Sequence, residues 1–173
     1  MKTIKIVLFS IITICFSSCI YWNNDDDIPD ISSHESLYKP ITQSRLIFEN
    51  DIELQASRPI SDAGKIYVKD EYILINENEE GFHLYDNTNA ESPEPIAYLK
   101  VRGATDLAIR GNTVYVHHLV DLVAIEYNFY TNSIENVNRS PNVFPRLNSP
   151  DGFSATYFNV PENEIIVGYQ LKN

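Results

Sequence analysis

GKIYVKDEYILINENEEGFHLYDNTNAESPEPIA at 64–97 and TDLAIRGNTVYVHHLVDLVAIEYNFYTNSIENV at 105–137 have the same apolar spacing at an offset of 41 residues. Overlaid without a gap, Ile66, Val68, Ile73, Ile75, Phe82, Leu84 and Ile96 fall on Leu107, Ile109, Val114, Val116, Val123, Ile125 and Val137. The class of side chain recurs far more than its identity, which is limited to Asn87, Ser92 and Glu94 over Asn128, Ser133 and Glu135. A period near 40 residues holding several short alternations is that of a four-stranded propeller blade, which cannot bury both faces alone and must stack on a neighbour. The expected fold class is therefore all-β: a partial β-propeller-like stack, with one short helix before the first repeat.

Within the repeats the alternation places strands at 65–69, 72–76, 81–86, 95–101, 105–109, 113–117, 122–127 and 134–139, and EIIVGYQ at 164–170 closes the chain. Gly111-Asn112 is a two-residue hairpin signal, and Asp70-Glu71 occupies the same place one repeat earlier. Asp86, Pro93 and Pro95 mark a defined turn after the third strand; the second repeat lacks all three, which predicts a longer or less defined connection there. Upstream, Ser44 is placed to cap a helical turn over 45–50, and 52–55 alternates like a strand. Residues 139–162 contain four prolines and no steady period apart from a possible short strand at 155–158. Their aromatic side chains Phe144, Phe153, Tyr157 and Phe158 could seal the edge of the last blade or line a binding groove.

The N-terminus reads as an address. Lys2 and Lys5 precede an apolar stretch from Ile6 to Phe16, too short to span a bilayer, and Ser17 and Ser18 lead into Cys19. This arrangement resembles a bacterial lipoprotein signal, in which the cysteine is lipidated and becomes the first mature residue, with Phe16 standing where that pattern prefers Leu. An ordinary secretory signal is the competing reading, but it would leave Cys19 an unpaired thiol in an oxidising compartment, because the other cysteine, Cys15, lies in the removed segment. The organisation that follows is a signal at 1–18, an acidic tether at 19–36 containing Asp25, Asp26, Asp27 and Asp30, and a β-repeat domain at 37–173. That acidic run resembles the export signal that carries Bacteroidetes lipoproteins to the outer face of the outer membrane.

The words GKIYVK (64–69), LINE (74–77), GFHLYDN (81–87), DLAIRGN (106–112), VDLVAIE (120–126), NVFP (142–145) and IIVGY (165–169) resemble the LVIVD-repeat lipoproteins of Bacteroidetes. The resemblance runs from about Ala56 to Tyr169 and implies blade-like repeats with no catalytic or ligand residues to carry over. Longer relatives of this type continue with further repeats, whereas this chain ends after what reads as a fragment of a third.

Chemistry is sparse. The full chain carries a net charge of −11, and loss of residues 1–18 leaves 11 basic against 24 acidic side chains, a balance that repels nucleic acid. His117-His118 with Asp121 contains zinc-binding residue types, but neighbours on a strand point to opposite faces and cannot converge on one ion. His83 points away from Phe82 and Leu84, which suits a structural role. Asp106 and Asp121 read as turn carboxylates rather than an acid–base pair. Ser154 lacks the closing glycine and base of a nucleophile elbow, and the Asn138-Arg139-Ser140 sequon carries no weight in a bacterial lipoprotein. No phosphate loop, metal site or cofactor site is expected. Two functions remain: a non-catalytic binding or scaffold module, anchored through Cys19 and taking a protein or glycan partner or a second copy of itself, and an envelope enzyme acting on a glycan at the loop face. Convergence of Asp106, Asp121, Glu77 and the histidines in one pocket would favour the enzyme.

Overall fold

The computed structural model describes residues 35–173; the signal, Cys19 and the acidic run at 25–27 lie outside the described residues. The described chain is all-β apart from two short helices, in the order β1 (Tyr38–Ser44), α1 (Arg45–Glu49), β2 (Glu53–Gln55), β3 (Ala63–Lys69), β4 (Tyr72–Glu77), β5 (Gly81–Asp86), β6 (Glu94–Lys100), β7 (Leu107–Arg110), β8 (Thr113–His118), β9 (Asp121–Asn128), β10 (Ser133–Ser140), a 3₁₀ turn (Ala155–Phe158) and β11 (Glu164–Leu171). Three antiparallel sheets result, ordered β2-β6-β5-β4-β3, β10-β9-β8-β7 and β1-β11.

Each repeat folds as one meander, because its alternating apolar runs are separated by turns that oblige the chain to reverse. In the first two strands the two repeats have equivalent registers: Ile66 pairs with Ile75 and Val68 with Ile73, as Leu107 pairs with Val116 and Ile109 with Val114. Asp70 and Gly111, both at positive φ, make the corresponding turns. At the next turn the repeats part. Three residues, 78–80, separate β4 from β5, whereas only Leu119 and Val120 separate β8 from β9. Ile75 therefore pairs with His83, while its counterpart Val116 pairs with Val123, so that Phe82, which a gapless overlay sets on Val123, lies on the other face. A one-residue difference is enough, since side chains alternate with a period of two.

The packing follows from that shift. Leu74, Phe82, Leu84, Ala97 and Leu99 from the first sheet meet Leu107, Val114, Val116, Val123 and Ile125 from the second in one buried core. The second sheet buries the face that holds Leu107 and Val116. The first buries the opposite face and leaves their counterparts, Ile66 and Ile75, on its outer side. Unlike faces thus pack together, an arrangement compatible with the stacking of successive propeller blades.

Other expectations need correction. The closing strand does not begin a third repeat: β11 pairs antiparallel with β1, which the sequence did not reveal, and Ile165 packs with Phe48, Leu119 and Val120 against the β8–β9 turn. The 155–158 segment is a 3₁₀ turn capped by the Ser154 side chain, which accepts from the Thr156 N–H, and not a strand. The connection after β9 is shorter than its counterpart after β5, four residues against seven. There the Asn128 side chain accepts from the Tyr130 and Thr131 N–H groups, much as Asp86 accepts from Thr88. The helical turn forms as expected over Arg45–Glu49, with the Ser44 hydroxyl accepting from the Ile47 N–H.

Candidate functional site

The chemistry-bearing side chains fall into separate clusters. Asp121, fully buried at the start of β9, accepts from Arg45 Nη1 at 2.8 and 3.0 Å, from Arg139 Nη1 at 2.8 Å and from the Asn142 N–H at 2.9 Å. This carboxylate does not act as a simple turn residue. It fastens α1 and the chain after β10 to the second sheet. His118 lies beside it, stacked on Phe48 at 4.1 Å, and its Nδ1 accepts from Arg139 Nη1 at 3.1 Å. Burial, with Arg139 adding to it, pushes the His118 imidazole down to about 3, so it is neutral at any physiological pH. Its proton then sits on Nε2, which is buried with no partner.

Glu77, at the end of β4, is also buried. It accepts from the Ser61 hydroxyl, from the Ser61 and Asp62 N–H groups, and lies 2.7 Å from His83 Nε2. Burial alone would raise this carboxyl, but the Ser61, His83 and Asp62 bonds outweigh it and hold the value at about 2. The cluster draws residues 58–62 over the outer face of the first sheet. Asp106, in contrast, is exposed and takes Lys65 Nζ and the Tyr67 hydroxyl across from the first sheet. His117 points the other way from His118 and packs edge-on to Phe144 at 4.5 Å. Asp106, Asp121 and Glu77 share no partner, and among the described residues no three His, Cys, Asp or Glu side chains are grouped to hold a metal ion.

Two cavities of similar size stand out among the described residues. One, of about 480 Å³, is a shallow, mostly apolar groove on the outer face of the second sheet, lined by Ala108, Tyr115, Leu122 and Phe144 with Asp106 and His117, the two chemistry-bearing side chains it brings together. The other, of about 460 Å³, is polar and lies where the loop ends of the first sheet meet residues 55–58, between Gln55, Arg58, Asn78, Glu79, Glu80, Tyr98, Lys100 and Arg102. Its floor is the Tyr98 ring, over which the Arg58 guanidinium stacks at 3.8 Å. Arg58 is held there by an exposed ion pair with Glu80, while Lys100 and Arg102 both reach Asp51. The Tyr98 hydroxyl is buried without a hydrogen-bond partner, and burial raises it to about 12. A buried unpartnered hydroxyl in a native fold needs an explanation, because leaving it unpaired costs on the order of 1–3 kcal/mol.

None of the polar-cavity residues was singled out from the sequence. Arg58 and Arg102 lie in connecting segments and Lys100 ends β6, and only their convergence in an acidic chain distinguishes them. No family model, curated protein or solved structure matches the chain.

Proposed function

We propose that the protein is a cell-envelope lipoprotein whose β-repeat domain is a non-catalytic binding module, with the polar cavity over Tyr98 as its ligand site. The buried, unpartnered Tyr98 hydroxyl carries this reading, beneath Arg58, Lys100 and Arg102, which outnumber the lining carboxylates Glu79 and Glu80. The complementary ligand is a carbohydrate bearing a carboxylate. Its ring can take the place of Arg58 over Tyr98, its acid group can bond Arg102 and Lys100, and its hydroxyls can reach Gln55, Asn78 and the unpartnered Tyr98 hydroxyl. Arg58 can swing aside because its ion pair with Glu80 is exposed and the sugar ring replaces its stacking on Tyr98. The engagement of Glu77, Asp106 and Asp121 by separate structural partners supports binding rather than glycan cleavage.

Calorimetric titration with a uronate-containing oligosaccharide and its neutral analogue tests the site. The acidic ligand is expected to bind the more tightly, and Tyr98→Phe to weaken it about tenfold without loss of thermal stability, the value of one hydrogen bond. Equal affinity of Tyr98→Phe and the parent chain would remove the Tyr98 hydroxyl from the site and with it the observation that carries the reading.

The anchor is part of the same proposal. Cys19 carries the lipid, the protein is held in the outer membrane, and the acidic run at 25–27 directs it to the cell surface, an assignment motivated by the signal-like start of the chain. Labelled palmitate is expected to enter the chain in cells and to be absent from Cys19→Ala; label retained in that variant would contradict the anchor.

A further inference from the structure

We propose that two copies of this chain associate through the outer faces of their repeat sheets, each copy's first sheet packing on the other's second, so that four sheets close into one ring. The inference starts from the unequal faces in the core and does not depend on the ligand site. Within one chain, the Leu74–Phe82 face of the first sheet packs on the Leu107–Val116 face of the second. The surfaces left over are the other member of each kind. On the first sheet Ile66 and Val68 are 65% and 69% exposed, next to half-buried Ile73, Ile75 and Tyr85. Their counterparts by register, Leu107, Ile109, Val114 and Val116, are those the second sheet covers with the first. On the second sheet the free face is the groove of Ala108, Tyr115, His117, Leu122 and Phe144. Ala108 there corresponds to Tyr67, which packs against the core on the first sheet. Each free face is thus the sequence equivalent of a face that already has a partner.

The chain covers neither completely. Residues 58–62 are tied over His83 and Glu77 at one end of the first sheet, and Phe144, whose N–H donates to the Val120 carbonyl, covers part of the second. The β1-β11 sheet packs on the β8–β9 turn through Ile165 and reaches the His117 end of this face, where Val167 and His117 line a small cavity, but no β1 or β11 residue lines the groove itself.

Charge selects the partner. The contact between the sheets carries the Lys65–Asp106 ion pair, and these residues stand 41 positions apart, at equivalent places in the two repeats. In a ring of four sheets built from two chains the equivalent places alternate Lys, Asp, Lys, Asp. Every junction then sets opposite charges together. A head-to-tail contact made twice about a two-fold axis closes, and four is the smallest number of blades in a closed propeller.

The test is the mass of the full-length chain in a nonionic detergent, by light scattering with the micelle contribution subtracted, over a concentration series. A dimer is expected, with no larger species as concentration rises. Val68→Asp and Tyr115→Asp are each expected to raise the dimer dissociation constant at least about tenfold, since each places a charge on a face that must become apolar and dry. Tyr115→Ser, a milder change, is expected to act in the same direction with an unchanged circular dichroism spectrum. Mixing Val68→Asp with Tyr115→Asp is expected to recover dimer at concentrations where neither variant alone forms it, because one of the two junctions is then unmutated. A monomer at every concentration, a mass that grows past the dimer, or no recovery in the mixture would overturn the proposal.

Discussion

Asp121→Ala is expected to destabilise the fold by about 3–5 kcal/mol, the cost typical of removing one partner from a buried ion cluster. The carboxylate is fully buried and is the common acceptor for Arg45, Arg139 and the Asn142 backbone. Its loss leaves two guanidinium groups facing each other with little water to replace it, their side chains being 21% and 13% exposed. For a chain of this size the thermal midpoint is expected to fall by roughly 10 °C. Asp121→Asn keeps an acceptor and is expected to cost less. Replacing the three charged residues together with Leu and Met is expected to recover much of the loss, because desolvation offsets most of what a buried pair gains. A midpoint unchanged in Asp121→Ala would show that the arginines are solvated and that α1 is held by Phe48 alone.

The second large effect is loss of stability in acid, beginning well above the usual carboxylate range. The unfolded His118 binds a proton below about pH 6.5, whereas the folded ring resists it down to about 3 because of burial and Arg139. The unfolded state therefore takes up more protons between those values, and stability falls as the pH is lowered through that window. Integrated over the whole window the effect is on the order of 5 kcal/mol. Glu77 adds to it in a lower window, from its ordinary value of 4.5 down to about 2, as its bonds from Ser61 and His83 are lost on protonation. Urea unfolding at a series of pH values is the measurement. Between pH 6.5 and 4.5 the parent chain is expected to lose stability steadily and His118→Gln to stay nearly flat. Parallel curves for the two proteins would assign the acid lability elsewhere.

What the sequence makes legible is local. The strands of both repeats, the Ser44 cap and the two-residue turns at Asp70 and Gly111 all rest on patterns a few residues long. The one-residue excess at 78–80 also lies in the sequence, but a gapless overlay hides it: Phe82 and Leu84 remain apolar and still fall on Val123 and Ile125. The signal is His83, a polar side chain flanked by core residues, whose pairing with Ile75 reveals the shift. The pairing of β1 with β11 joins strands more than 100 residues apart, with no pattern linking them. The Asp121 cluster likewise draws Arg45 from 76 positions away, and the polar cavity gathers single residues from two strands and the loops beside them. Charged side chains in connecting segments read as solvated in a sequence, and only the fold reveals which ones are buried.

The stacking of unlike faces underlies both the polar cavity and the free surfaces, and it depends on the register between β4 and β5. The decisive measurement is the set of cross-strand nuclear Overhauser contacts between those strands in isotope-labelled protein. The account predicts that Ile75 lies opposite His83 and Leu74 opposite Leu84, whereas contacts pairing Ile75 with Phe82 would place both repeats in one register and contradict it.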